Sequence, residues 1–152
     1  MKILWTLCFI FMLTNLSQGV ELKTKQTQIT LDSKGYYSSI KVAGKELLGK
    51  GSYPILSVVK AQQIILPKEL MIKGDQYLLS MEDGQQIELK VKQMAQAITY
   101  EIINISDAYN MVVFGPVKIN SHEVVGEIVG VAQDVDIAFG MQIGRASCRE
   151  RV

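Results

Sequence analysis

Tyr77-Leu78-Leu79-Ser80-Met81-Glu82-Asp83-Gly84-Gln85-Gln86-Ile87-Glu88-Leu89-Lys90-Val91-Lys92-Gln93-Met94 is the stretch that decides the fold class. In its second half Ile87, Leu89 and Val91 fall on one side of an extended chain, and Glu88, Lys90 and Lys92 fall on the other. A period of two is the spacing of a β-strand with one face in a core and one in water, and a helix would scatter these residues around its axis. Asp83-Gly84 lies between this run and the apolar run Tyr77–Met81. A short Asp-Gly segment between two strand-like runs is a hairpin signal, because glycine takes the positive φ that a tight reversal demands.

The same grammar extends in both directions. Upstream, Gln28–Leu31 alternates, Asp32-Ser33-Lys34-Gly35 reads as a turn, and Tyr36–Val42 reads as the returning strand. Strict alternation there puts Tyr37, Ser39 and Lys41 on one face and Ser38, Ile40 and Val42 on the other. Ala43-Gly44-Lys45-Glu46 turns the chain again. Pro54–Val59 is a more continuous apolar run, as expected of a strand covered on both faces. Gln63–Leu66 and Leu70–Lys73 are short candidates around Pro67, which cannot donate to a ladder and so suits an edge or a break. Downstream, strands are expected over Ile98–Ser106, Met111–Phe114, Val124–Ala132 and Ile137–Met141. About ten strands, turn signals between them, no convincing helical stripe and no repeat predict an all-β, antiparallel β-sandwich.

The chain has 152 residues, 48% of them apolar, which is enough for one domain with its own core. Its two ends differ from its middle. A basic start at Lys2, an apolar run over Ile3–Leu13 and small residues at Ser17 and Gly19 have the order of a secretory signal peptide. The apolar run is too short to span ~30 Å of hydrocarbon as a helix. Residues 1–19 are therefore expected to be a removed signal, with the domain over 20–142 and a secreted or periplasmic location. At the other end, residues 143–152 hold all three arginines of the chain. This string resembles the translation of a sequencing adapter, so it is read as a non-native tail, with the native domain expected to continue past Gln142. Setting aside Lys2 and the tail's net of two positive charges lowers the formal charge from +1 to −2. Such a balance gives no electrostatic case for nucleic acid or for a membrane surface once the signal is cleaved. Cys8 and Cys148 both lie in these end segments, which leaves residues 20–142 without a disulfide or a thiolate metal site.

Candidate chemistry is sparse. Glu82-Asp83 and Asp134/Asp136 are the closest carboxylate pairs, and both are read as solvated turn residues rather than as an acid and nucleophile. A calcium-binding turn at Asp134–Asp136 is the minor alternative. His122 is the only histidine, so a three-His zinc site is excluded, and no Gly-x-Ser-x-Gly elbow supports a hydrolase triad. Gly44, Gly49 and Gly51 lack a following Lys-Ser/Thr and do not make a phosphate loop. Gly126 and Gly130 sit within a strand-like run and suggest a bulge or a close backbone approach. No catalytic residue, cofactor or metal ligand is assigned. Tyr36 and Tyr37 are the candidate sugar contacts: as neighbours in a strand, one must face outward, and an exposed aromatic with polar neighbours suits a sugar face.

Two stretches carry a family resemblance. Ile29-Thr30-Leu31-Asp32-Ser33-Lys34-Gly35-Tyr36-Tyr37-Ser38-Ser39-Ile40-Lys41-Val42-Ala43-Gly44-Lys45-Glu46 resembles the first hairpin of N-terminal β-sandwich domains in secreted bacterial glycoside hydrolases of the Bacteroidetes type. The stretch from Phe114-Gly115-Pro116 through Val125–Asp134 to Ala138–Gln142 is similar to a later segment of such domains. The resemblance implies a supersandwich-like fold, incomplete at its C-terminal end. It also implies an accessory role, with the acid and nucleophile carboxylates on a catalytic domain that follows in the same chain and is missing here. That domain and a polysaccharide are the implied partners, and Phe114-Gly115-Pro116 would border the active site. The alternative is a non-enzymatic glycan-binding or cell-envelope module.

Overall fold

The computed structural model describes residues 19–120, 123–125, 131–134 and 137–141. Strands β1 (Val20–Lys23), β2 (Thr27–Leu31), β3 (Tyr37–Val42) and β4 (Lys45–Glu46) form an antiparallel sheet in that order. A hairpin of β5 (Ser57–Lys60) and β6 (Gln63–Ile65) follows. Strands β7 (Pro67–Lys73), β8 (Gln76–Met81), β9 (Gln86–Gln93) and β10 (Ile98–Asn104) then build a second four-stranded antiparallel meander. β11 (Met111–Val113) returns to the free side of β5. Strands β12 (Glu123–Val125), β13 (Val131–Asp134) and β14 (Ile137–Gly140) pair among themselves. Among the described residues there is no helix, and none long and apolar enough to cross a membrane. The expected all-β class is the observed one.

The two four-stranded sheets share one interior, which makes the fold a sandwich. Leu22, Ile29, Leu31 and Ile40 of the first sheet and Leu79, Met81, Ile87 and Leu89 of the second belong to a single buried cluster. In the second sheet Tyr77 stands opposite Leu89 and Leu79 opposite Ile87, so the inner face is laid down as cross-strand pairs. Each fully buried Leu or Ile contributes about 1.5–3 kcal/mol. Lys90 and Lys92 on the outer side meet Asp75 at 3.4 Å and Glu101 at 3.5 Å, exposed pairs of small energetic weight. Ile55, Leu56 and Val58, around the start of β5, join the same interior, and burial is unbroken from Ile55 to Val58 as the continuous apolar run predicted.

Hydrogen bonds tie the first sheet and its turns to the rest of the fold at both ends. At one end the Lys23 N–H donates to Gln93 Oε1 (2.6 Å) and the Lys25 N–H to the Ala95 carbonyl (3.1 Å). At the other, the Leu70 N–H donates to the Ser33 carbonyl (2.8 Å) and the Ile55 N–H to the Gly35 carbonyl (2.9 Å). Pro67 opens edge strand β7, where no neighbour needs its missing N–H.

Several expectations need correction. Strict alternation fails in β3: Thr30 pairs with Ser39 but Leu31 pairs with Tyr37, so Ser38 is an extra, bulged residue whose hydroxyl donates to the Thr30 carbonyl (3.1 Å). The bulge shifts the phase by one, and Tyr37 and Ile40 both point inward although they lie three apart. The segment Ala43–Glu46 is not all turn: only Ala43-Gly44 reverse the chain, both at positive φ, and Lys45–Glu46 already pair as β4. Val124–Ala132 is not one strand, since Val125 of β12 pairs with Val131 of β13. β1 had no distinct signal in its four residues and is made by pairing with β2. The Asp-Gly hairpin forms, but through a turn in which the Gly84 N–H bonds Met81 O (3.0 Å) and the Met81 N–H bonds Gln85 O (2.8 Å). That is a three-residue reversal with the glycine in the left-handed bulge position. The expected signal segment up to Gln18 and the tail 143–152 lie outside the described residues, as do His122, Gly126, Gly130 and Asp136.

Gly35 is a close approach of the β2–β3 turn to the second sheet. Its φ is +85°, and a Cβ there would stand 2.6 Å from Leu79 Cδ2 of the second sheet. Gly35→Ala is expected to cost about 2–4 kcal/mol, the sum of a left-handed alanine and local overpacking. Urea unfolding checks this, and a midpoint unchanged from wild type would show that the turn has room to move.

Candidate functional site

The bulge at Ser38 decides which of the two sugar-contact candidates faces solvent. Tyr37 enters the sandwich and is 6% exposed, and its phenol is pushed up to about 12 by burial, offset in part by the neighbouring Tyr100 phenol. It is therefore core, not surface. Tyr36 lies one residue earlier, bridged to Pro54 and half-buried. Its phenol is raised by this partial burial and then by the carboxylates of Glu82 and Asp32.

Local bonding holds Tyr36 in place. Asp32 Oδ1 accepts from the N–H of Lys34 (2.8 Å) and of Tyr36 (2.9 Å), and the Asp32 N–H donates to Tyr36 O (2.8 Å). This is an Asx-type turn, which fixes the loop before any partner arrives. Glu82 comes from the β8–β9 reversal, where its N–H donates to the Leu66 carbonyl (3.0 Å). The surface feature that results is a half-buried aromatic side chain with one carboxylate from its own turn and another from the facing sheet.

The other polar residues of interest are structural ties. Asp83 is not the solvated turn carboxylate that was expected. It accepts from Lys60 Nζ (2.9 Å), Tyr109 Oη (2.8 Å) and the Gln85 N–H (3.2 Å), joining the end of β5 and the 105–110 loop to the β8–β9 turn. The Lys60 bond is the largest influence; burial comes second and opposes it, and with the bonds from Tyr109 and Gln85 the carboxyl is held below the ordinary 3.8. Glu46 does the same for the β3–β4 hairpin, accepting from Ser39 Oγ (2.5 Å) and the N–H groups of Ile40 (2.9 Å) and Leu48 (3.0 Å). Burial alone would raise Glu46, but these three bonds together with Lys41 leave it lowered. Asp134 lies within β13 rather than in a turn. Among the described residues no three His, Cys, Asp or Glu converge as metal ligands.

Tyr37, Tyr77 and Tyr100 bring three phenols into the interior. Burial first, then the Tyr37 and Tyr77 phenols, raise Tyr100 far above its ordinary value. Tyr37 and Tyr100 are near enough to bias each other's ionisation, yet the enclosed Tyr100 Oη makes no well-formed hydrogen bond. Phe114 packs against the core, and the Gly115–Pro116 peptide that follows it is cis.

No family model matches the chain, and no curated protein or solved structure matches it either.

Two outcomes follow from these contacts. Tyr100→Phe is expected to be neutral or stabilising by up to about 1 kcal/mol, because an unbonded buried hydroxyl is removed without loss of packing. A loss beyond about 1 kcal/mol in urea unfolding would mean that the hydroxyl is bonded. For Asp83 the folded-state carboxyl lies below 3.8, so its contribution is complete above that pH and disappears as pH falls through the folded value. Wild type should therefore be more stable than Asp83→Asn at pH 7, and the gap should close as the pH is taken below 3.8. A gap independent of pH would mean that the charge on Asp83 contributes nothing.

Proposed function

We propose that this chain is an accessory, non-catalytic β-sandwich module of an exported carbohydrate-active hydrolase, contacting polysaccharide through Tyr36. The observation that carries the reading is the placement of Tyr36: half-buried and held by the Asp32 turn, whose carboxylate accepts its N–H. A tyrosine face offers a pyranose ring a flat apolar surface, while carboxylates accept hydrogen bonds from its hydroxyls. A rigid loop lowers the ordering cost of binding. The negative charges of Asp32 and Glu82 favour a neutral sugar at this position. The residues quoted for the family resemblance give the reading its parent enzyme, whose catalytic carboxylates belong to another domain.

Titration calorimetry of the chain against neutral polysaccharide fragments tests the reading. Tyr36→Ala should weaken binding about tenfold or more, a loss of roughly 1.4 kcal/mol, while leaving the unfolding midpoint near wild type. Binding that survives the substitution would remove Tyr36 from the contact. Turnover of a glycoside by the chain itself would overturn the accessory role.

A further inference from the structure

At the end of the β2–β3 hairpin far from Tyr36, the β1–β2 turn and the β3–β4 turn border a shallow depression of about 450 Å³. Three lysines, Lys23, Lys25 and Lys41, line it, with Gln and Thr side chains between them and no carboxylate. We propose that this depression is a binding site for an anionic glycan, its lysines taking uronate or sulfate groups and its amides and hydroxyls taking sugar hydroxyls.

The site is built before a ligand arrives. Thr24 Oγ1 accepts from the N–H of Gln26 (3.2 Å) and Thr27 (2.9 Å), which closes the first turn on itself. The Ala43 N–H donates to the Gln26 carbonyl (2.7 Å), tying the second turn to the first, and the Lys25 N–H ties both to Ala95 beyond β9. Ala43 holds a φ of +49° to make this junction, a conformation alanine adopts at a cost. A concave surface lined by one sign of charge focuses its field on a counter-ion.

The neighbouring charges leave a positive excess. Glu21 pairs with Lys23 at 2.6 Å, and Glu46 lies near enough to Lys41 for the lysine to lower its carboxyl. Neither carboxylate is part of the lining, but Glu21 also accepts from Gln28 Nε2, which leaves Gln26 as the amide open to a ligand, and Lys25 makes no ion pair among the described residues. The lining holds no aromatic residue, which disfavours single-stranded nucleic acid, where bases stack on aromatic rings. It holds no large apolar residue to enter a membrane interface. Lysine, glutamine and threonine on a fixed concave surface match a charged sugar polymer best.

The test uses the full chain and oligomers of polygalacturonate. The acid form should bind at least tenfold more tightly than its fully methyl-esterified form, and its affinity should fall as salt is raised. Lys25→Gln combined with Lys41→Gln should weaken binding about tenfold. Lys25→Gln alone, which leaves the Glu46 contacts untouched, should give an intermediate loss. Tyr36→Ala should have no effect here, so failure of the Tyr36 reading and failure of this one are separable. Equal affinity for acid and ester would overturn the proposal, as would no binding of either or no response to the lysine variants. Tighter binding of a DNA oligonucleotide or of phosphatidylserine vesicles would assign the lysines to a different polyanion and overturn it as well.

Discussion

The two four-stranded sheets depend on one another because neither can bury its apolar face alone. Leu79, Ile87 and Leu89 are fully buried in one cluster with Leu22, Leu31 and Ile40 of the facing sheet. Each four-stranded sheet leaves its apolar face in water unless the other covers it, so burial between the sheets stabilises both. The Gly35 turn lies directly against Leu79 of the facing sheet. A residue with a side chain would force the turn and the sheet apart.

Around this interior, charge is used mainly as fastening. Asp83 gathers three donors from separate segments, and Glu46 gathers three within one hairpin. Each lies where the backbone leaves the regular ladder and donors need acceptors. Their lowered pKa values are therefore signs of structural bonding. Perturbed ionisation is a pointer to function only when the perturbing groups also leave room for a ligand, and the donors around Asp83 and Glu46 occupy their lone pairs.

The β2–β3 hairpin gives its two ends opposite characters. One end carries Tyr36 on the Asp32 turn, and the other carries Lys23, Lys25 and Lys41 around a depression. Five or six extended residues separate them, about 17–20 Å at the rise of a strand. Both ends are held by hydrogen-bonded turns that are also tied to neighbouring segments. On the reading proposed above, that rigidity is what makes each end a surface fit for a polymer.

Alternation is a property of neighbours in the chain, and for that reason the sequence alone determined the all-β class, the β8–β9 hairpin and the inward set Ile87, Leu89 and Val91. It also limited Pro67 to an edge or a break, because the missing N–H is a local fact, and the fold puts it on an edge strand. Tertiary structure decided what depends on partners distant in sequence. The bulge at Ser38 exists only in the pairing with β2, and it alone made Tyr37 core and left Tyr36 outside. The Lys60–Asp83–Tyr109 tie spans residues 23 and 26 apart, and the lysine depression needs two turns brought side by side. No periodicity along the chain encodes such meetings, since they arise from how the strands register and how the sheets close.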